Sequence, residues 1–196
     1  MFDEFWFNVE YGLKHVLDIN GYDHVLFLMV LSVPYLFRDW KRVLILVSVF
    51  TLGHTASLVL ATYDVLKIDS LLVEFLIPIT IMVVAVYNVF TASEQTKQEK
   101  LGVLFLSTLF FGLIHGLGFA GEFKMFVGRA ENKLMPLIEF ALGIELAQLI
   151  IVFVVLFLGF LGHMVFNASR RDWKLVVSAM VIGMVIPMII NSEYLS

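Results

Sequence analysis

The residues of this chain that could do chemistry are its five histidines and the acids near them. His15 and Asp18 stand three positions apart, so one helical face can present both. Asp23 directly precedes His24. Neighbours on a helix point in different directions, so one of this pair can bind a cation while the other orients a ligand from behind. His54, His115 and Glu145 follow at long separations, with Gln148 one turn after Glu145 on the same face. Neutral imidazole is a common metal ligand, and two or three imidazoles with a carboxylate suit zinc, nickel, cobalt or ferrous iron. The chain has no cysteine, which excludes disulfides, thiolate ligands and cysteine nucleophiles. Any metal must therefore be held by nitrogen and oxygen. The candidate ligands are His24, His54 and His115, then Asp23 and Glu145, then His15 and Asp18. Glu74 and Thr55 are candidates to support them from behind.

These side chains must be positioned inside lipid. Hydrophobic residues make up 60% of the chain, charged residues only 15%, and Phe alone occurs 19 times. A soluble domain has roughly 45–50% apolar residues. With a mean hydropathy of +0.93, the excess needs a bilayer as its solvent. The net charge of −4 is small and carries no nucleic-acid signal. The opening Met-Phe-Asp-Glu-Phe-Trp lacks the positive segment of a signal peptide, so the spans themselves are expected to direct insertion.

The aromatic, acidic first ten residues suit an interfacial helix. A polar-interrupted stretch, Gly12 to Tyr22, leads to an apolar run from His24 to Phe37. Further runs extend from Val43 to Tyr63, Leu71 to Phe90, Leu101 to Ala120, Leu134 to Phe160 and Leu175 to Ile190. Each of these further runs approaches the roughly 20 residues that cross a bilayer. Short alternating segments of the barrel type are absent. The expected fold is all-α: one polytopic transmembrane domain over residues 1–196, a bundle of about six helices behind a short N-terminal interfacial helix.

Basic residues set the expected orientation. Arg38, Lys41 and Arg42 fill the first loop, Lys97 and Lys100 the third, and Arg170, Arg171 and Lys174 the fifth. The opposite side carries Lys14, Lys67, Lys124, Arg129 and Lys133, diluted by acids. The odd loops are therefore expected inside and both termini outside, in a bacterial inner membrane. On that orientation His54 lies about 13 Å, His115 about 10 Å and Glu145 about 15 Å below the outer ends of their helices. Polar groups from separate helices thus share one layer of the outer leaflet. The inner halves carry mainly Ser32, Ser48, Asn88, Ser107 and Thr108, with no acid or histidine continuing the trail. Gly112 and Gly116 form a small-residue motif that lets helices approach and draws His115 toward the bundle centre. His163 reads as interfacial, and the methionines as packing residues.

The chain also carries a family pattern. Gly-Tyr-Asp-His (21–24) followed by Val-Leu-Phe, Phe-Thr-Leu-Gly-His-Thr (50–55), Phe-Gly-Leu-Ile-His-Gly-Leu-Gly-Phe-Ala (111–120) and Gly-Ile-Glu-Leu-Ala-Gln (143–148) resemble the HupE/UreJ family, in its order. The resemblance implies a membrane protein associated with hydrogenase or urease maturation and described as a nickel or cobalt permease. It carries over to Asp23, His24, His54, His115, Glu145 and Gln148, and less closely to His15 and Glu74. Ala141 stands where the family has Asn, and Ala147 where it has Gly.

Two functional readings stay open at this stage. In the first, the cluster takes a divalent transition metal, Ni2+ or Zn2+ (or Co2+), and passes it across the bilayer. In the second, the metal activates water in an intramembrane hydrolase or transferase acting on a lipid or peptide. Glu145 would then be the general base, and Gln148, Thr55 or Ser57 would hold an oxyanion. Against both stands a plain alternative, in which these groups only bond one another between helices. The expected partners are the bilayer and a metal ion, with a homo-oligomer and a metalloenzyme maturation system left open.

Overall fold

The computed structural model describes residues 2–93, 101–128 and 132–195. Lys97, Lys100 and Arg129, part of the orientation signal, lie outside them. Among the described residues the regular structure is helical: α1 Phe2–Val16, α2 Asp23–Ser32, α3 Trp40–Thr62, α4 Ser70–Phe90, α5 Leu101–Gly118, α6 Ala120–Val127, α7 Leu134–Phe166 and α8 Arg170–Ile190. Helix dominates because a backbone in hydrocarbon must satisfy its N–H and C=O groups within one segment.

Four helical segments are long and apolar enough to cross a membrane: Phe37–Thr62, α4, α7 and α8. A fifth forms if α5 and α6, bent by 54° at Phe119, are one span. The chain is an integral membrane protein.

The run expected from His24 to Phe37 is not one span. Only α2 forms there, over 10 residues, or roughly 15 Å. Val33 still holds helical backbone angles and bonds Met29 O, but Pro34 after it offers no N–H to carry the helix on. The chain then turns through a 3-10 segment at Phe37–Asp39 into α3. α1 runs six residues past the expected ten-residue opening segment and ends beside the start of α2, with Leu17–Tyr22 between them. Its exposed face carries Phe2, Trp6 and Phe7, as an interfacial helix requires. Its other face is packed: Val9 and Val16 are buried.

Two glycine seams fix the bundle. A Cβ on Gly112 would stand 2.3 Å from the Phe50 carbonyl oxygen, and one on Gly116 2.1 Å from that of His54. Only bare backbone permits this approach of α3 to α5. The second seam joins α1 to α7, where a Cβ on Gly12 would meet Phe140 O at 2.1 Å and one on Gly143 would meet Val9 O at 2.0 Å. Asn8 Nδ2 donates to Glu139 Oε2 at 2.6 Å across the same seam. At the other end of the bundle, Asn88 Nδ2 of α4 donates to the Val30 carbonyl of α2 at 2.7 Å. Lys174 of α8 donates to Thr91 Oγ1 at 2.9 Å. His163 sits at that end too, its ring against the Ala168 carbonyl where α7 stops.

Candidate metal centre

The elements above deliver their histidines to one place. His15 comes from the last turn of α1 and His24 from the first turn of α2. His54 comes from the α3 seam, and His115 from the facing seam of α5. Ring centroids lie 4.7 Å apart for His15 and His24, 5.3 Å for His24 and His115, 5.6 Å for His24 and His54, and 5.8 Å for His15 and His54. Ligand atoms of His15, His24 and His54 fall within 4.8 Å of one another, and so do those of Asp23, His24 and His115. His24 belongs to both groups. Asp23 Oδ1 is 3.3 Å from His24 Nδ1.

Burial makes this arrangement informative. His24 is 2%, His54 0% and His115 1% exposed. Yet Nε2 of His15, both ring nitrogens of His24, both of His54 and Nδ1 of His115 lack a hydrogen-bond partner. Buried polar groups are nearly always paired, and each exception calls for an explanation. Structural imidazoles that merely satisfied one another would show those bonds. His24 Nδ1 faces the Asp23 carboxylate at 3.3 Å without hydrogen-bond geometry, and His115 Nε2 lies 3.2 Å from Thr80 Oγ1. That contact turns His115 Nδ1 free for a ligand. The hydroxyl itself sits 2.7 Å from Ile77 O.

The donor set fits a borderline cation. First-row ions bound at about 2.1 Å hold their ligands roughly 3–4 Å apart, a spacing that small rotations of these side chains reach. Aromatic rings close the sides. His15 lies 3.9 Å from the Phe119 ring, and Phe119 stacks on Phe140 at 5.2 Å. Phe27 and Phe50 cover His115 from below.

A cavity of about 510 Å³ reaches the cluster, with His15, Asp23, His24 and His115 in its wall. Its rim carries the exposed carboxylates of Asp18, Glu74 and Glu122. Asp18 therefore stands at the mouth, where its Oδ1 accepts from the Asn20 amide at 2.9 Å. It is not among the converging atoms. Glu74 lines the same mouth. Thr55 Oγ1 is buried beside His54 without a partner.

Glu145 and Gln148 lie elsewhere. Glu145 Oε1 accepts from Ser48 Oγ at 2.5 Å, and its Oε2 contacts Thr51 Oγ1. Thr51 Oγ1 donates toward Gln148 Oε1 at 2.9 Å. Thr51 and Ser48 precede His54 on α3 by one and two turns. The acid therefore sits past the imidazoles, on the side away from the cavity mouth, in the half expected to carry no acid. Helices do not begin in a common plane, so depths counted from their ends are not comparable.

Two features escape sequence reading. Thr80 is an ordinary threonine on an apolar helix and carries no signal of its role. Glu122, at the mouth, had only its place after the third motif to mark it.

Comparison with protein families matches residues 1–192 to the family described as HupE / UreJ protein. No curated protein and no solved structure matches the chain.

Proposed function

The chain belongs to the HupE/UreJ family, and from that premise we propose that it is a transporter of a divalent transition metal, nickel or cobalt, serving metalloenzyme maturation. The observation that carries this reading is the set of partnerless imidazole nitrogens from four separate elements at the closed end of an acid-rimmed cavity. Asp18, Glu74 and Glu122 at the mouth attract a cation, since clefts lined by one sign of charge raise the local counter-ion concentration. His15, His24, His54, His115 and Asp23 then replace water around it. His24 belongs to both ligand groups and can hand the ion from one to the other without releasing it. Overlapping sites of this kind suit conduction, in which binding must be firm enough to enter and loose enough to leave.

The basic segments Arg38–Arg42 and Arg170–Lys174 lie at the end of the bundle opposite the cavity. By the positive-inside tendency they are cytoplasmic, which puts the mouth and both termini outside a bacterial inner membrane. The hydrolase reading named Glu145 as its base, and Glu145 is bonded to Ser48 and Thr51 instead, away from the imidazoles.

The test is uptake of radioactive nickel or cobalt by proteoliposomes. Wild-type protein should accumulate metal above empty vesicles, and the His54→Ala, His115→Ala double variant should not. Equal accumulation by both proteins would refute the proposal.

A further inference from the structure

The end of the bundle opposite the metal centre holds a second cavity, of about 370 Å³. It lies where the α2–α3 corner meets the α7–α8 turn, with Arg38, His163, Arg170 and Trp173 in its wall. Arg38 and Arg170 come from far-separated segments of the chain, so their meeting is a product of the fold. Trp173 packs on Gly159, where no side chain intervenes.

A groove of about 550 Å³ continues from this cavity between α3 and α7, and Phe37, Arg38 and Leu156 line both. The rest of the groove is apolar: Trp40 and Leu44 of α3 face Leu149, Val152 and Phe153 of α7. Trp40 and Phe153 are exposed on the outside of the bundle. From Gly159 to Leu149, α7 rises about 15 Å, half of a hydrocarbon core of roughly 30 Å. The groove therefore has the depth of one leaflet.

Charge selects what fills it. Of the basic residues at this end, Lys41 lies over the Trp40 ring, Arg42 over that of Tyr35, and Lys174 donates to Thr91. The acids among them, Asp39 and Asp172, are taken up in helix caps. Asp39 Oδ2 accepts from the Leu36 amide at 3.1 Å, and Asp172 Oδ2 from Ser169 Oγ at 2.5 Å. Arg38 Nε stands 4.0 Å from Asp39 Oδ1, at the limit of an ion pair. Among the described residues Arg170 forms no ion pair. An exposed groove at hydrocarbon depth takes an acyl chain whatever the headgroup. Two guanidiniums at its mouth favour a phosphate with net negative charge, because their N–H groups match phosphate oxygens in pairs. An indole at headgroup level suits the same boundary.

We propose that this corner binds one anionic phospholipid, its phosphate on Arg38 and Arg170 and an acyl chain in the groove between α3 and α7. Basic pockets between membrane helices on the cytoplasmic side recognise anionic headgroups in this way. The lipid ties the α2–α3 corner to the α7–α8 turn. The site is separate from the metal centre and does not depend on what the imidazoles carry.

Native mass spectrometry of the detergent-purified protein, titrated with phosphatidylglycerol or phosphatidylcholine of identical chains, reads the site. Wild-type protein should retain one phosphatidylglycerol in preference to phosphatidylcholine. Arg38→Gln with Arg170→Gln should weaken phosphatidylglycerol binding roughly 30-fold, at about fivefold for each arginine. Lys41→Gln with Arg171→Gln removes the same charge outside the cavity and should leave the binding unchanged. Equal losses in the two pairs, or no preference in wild type, overturn the proposal, since the arginines would then act only as general topological charge. Leu149→Trp fills the deep end of the groove and leaves both arginines; unchanged lipid binding in that variant overturns the acyl-chain assignment. Glycerophosphoglycerol, the same headgroup without chains, should not displace the lipid at equal concentration. Displacement would mark a site for a free phosphodiester, and the lipid proposal would fail. In nanodiscs, phosphatidylglycerol should raise the thermal midpoint of wild type and of Lys41→Gln with Arg171→Gln, but not of Arg38→Gln with Arg170→Gln, all three sharing one midpoint in phosphatidylcholine alone. A rise in all three also overturns the proposal.

Discussion

Gly116→Ala should damage the metal centre without touching a ligand. The added Cβ would lie 2.1 Å from the backbone oxygen of His54 and 2.3 Å from Ser57 Oγ. Ser57 can rotate away, but the His54 carbonyl is helix backbone. Real Cβ contacts essentially never fall under 3.0 Å, so α3 and α5 must part by the difference, 3.0 − 2.1 = 0.9 Å. Overpacking of this type costs about 1–3 kcal/mol. The separation also carries His54 away from His115, next in sequence to Gly116. Ligand constellations tolerate displacements of about 0.5 Å. The expected loss of nickel affinity is therefore at least about tenfold, or roughly 1.4 kcal/mol. Calorimetric titration of purified protein in lipid nanodiscs reads the affinity, and thermal unfolding with and without nickel reads the stability. Gly183→Ala on α8 is the control, since its Cβ meets nothing within 4 Å. If Gly116→Ala binds nickel as tightly as Gly183→Ala does, the seam does not set the ligand spacing and the reasoning fails.

Further outcomes are expected. His24→Ala should lower the bound metal measured by elemental analysis more than His15→Ala does, because His24 belongs to both ligand groups; equal losses would contradict a shared ligand. Thr80→Val removes the oxygen 3.2 Å from His115 Nε2, and loss of such a support typically costs about 10–100-fold in metal affinity. A titration unchanged from wild type would show that the ring needs no such anchor. Asn8→Ala leaves Glu139, 9% exposed, without its donor, at a cost of about 1–3 kcal/mol. Thermal unfolding should show a lower midpoint, with part of the loss recovered when Glu139→Ala is added, and additive effects would rule out the coupling.

Much of the bundle was legible because lipid leaves few options. A run such as Val43 to Tyr63 has no use in water, and α3 forms over nearly the same residues. The run from His24 was misjudged because hydropathy is blind to Pro34, which ends the helix at Ser32. The convergence of His24, His54 and His115 was readable in outline, since isolated imidazoles do not persist in hydrocarbon. Glu145 was placed in the same layer because counting residues measures distance along a helix but neither its starting plane nor its azimuth. The α1–α7 seam was hidden for a related reason. Gly12 and Gly143 each look like a lone glycine until the two helices are laid together.

The glycine seams sort the cluster into units that can move. His15 rides on the α1–α7 pair, and His54 and His115 ride on the α3–α5 pair. Within each pair the backbones already touch, so neither can slide internally without collision. Any rearrangement that opens a way past the imidazoles must roll one pair against the other, with His24 on short α2 as the pivot. The bonds from Ser48 and Thr51 to Glu145 cross that same parting line and act as its latch. Spin labels on α1 and α7 should then keep a fixed separation through a transport cycle, while labels on α3 and α7 change theirs.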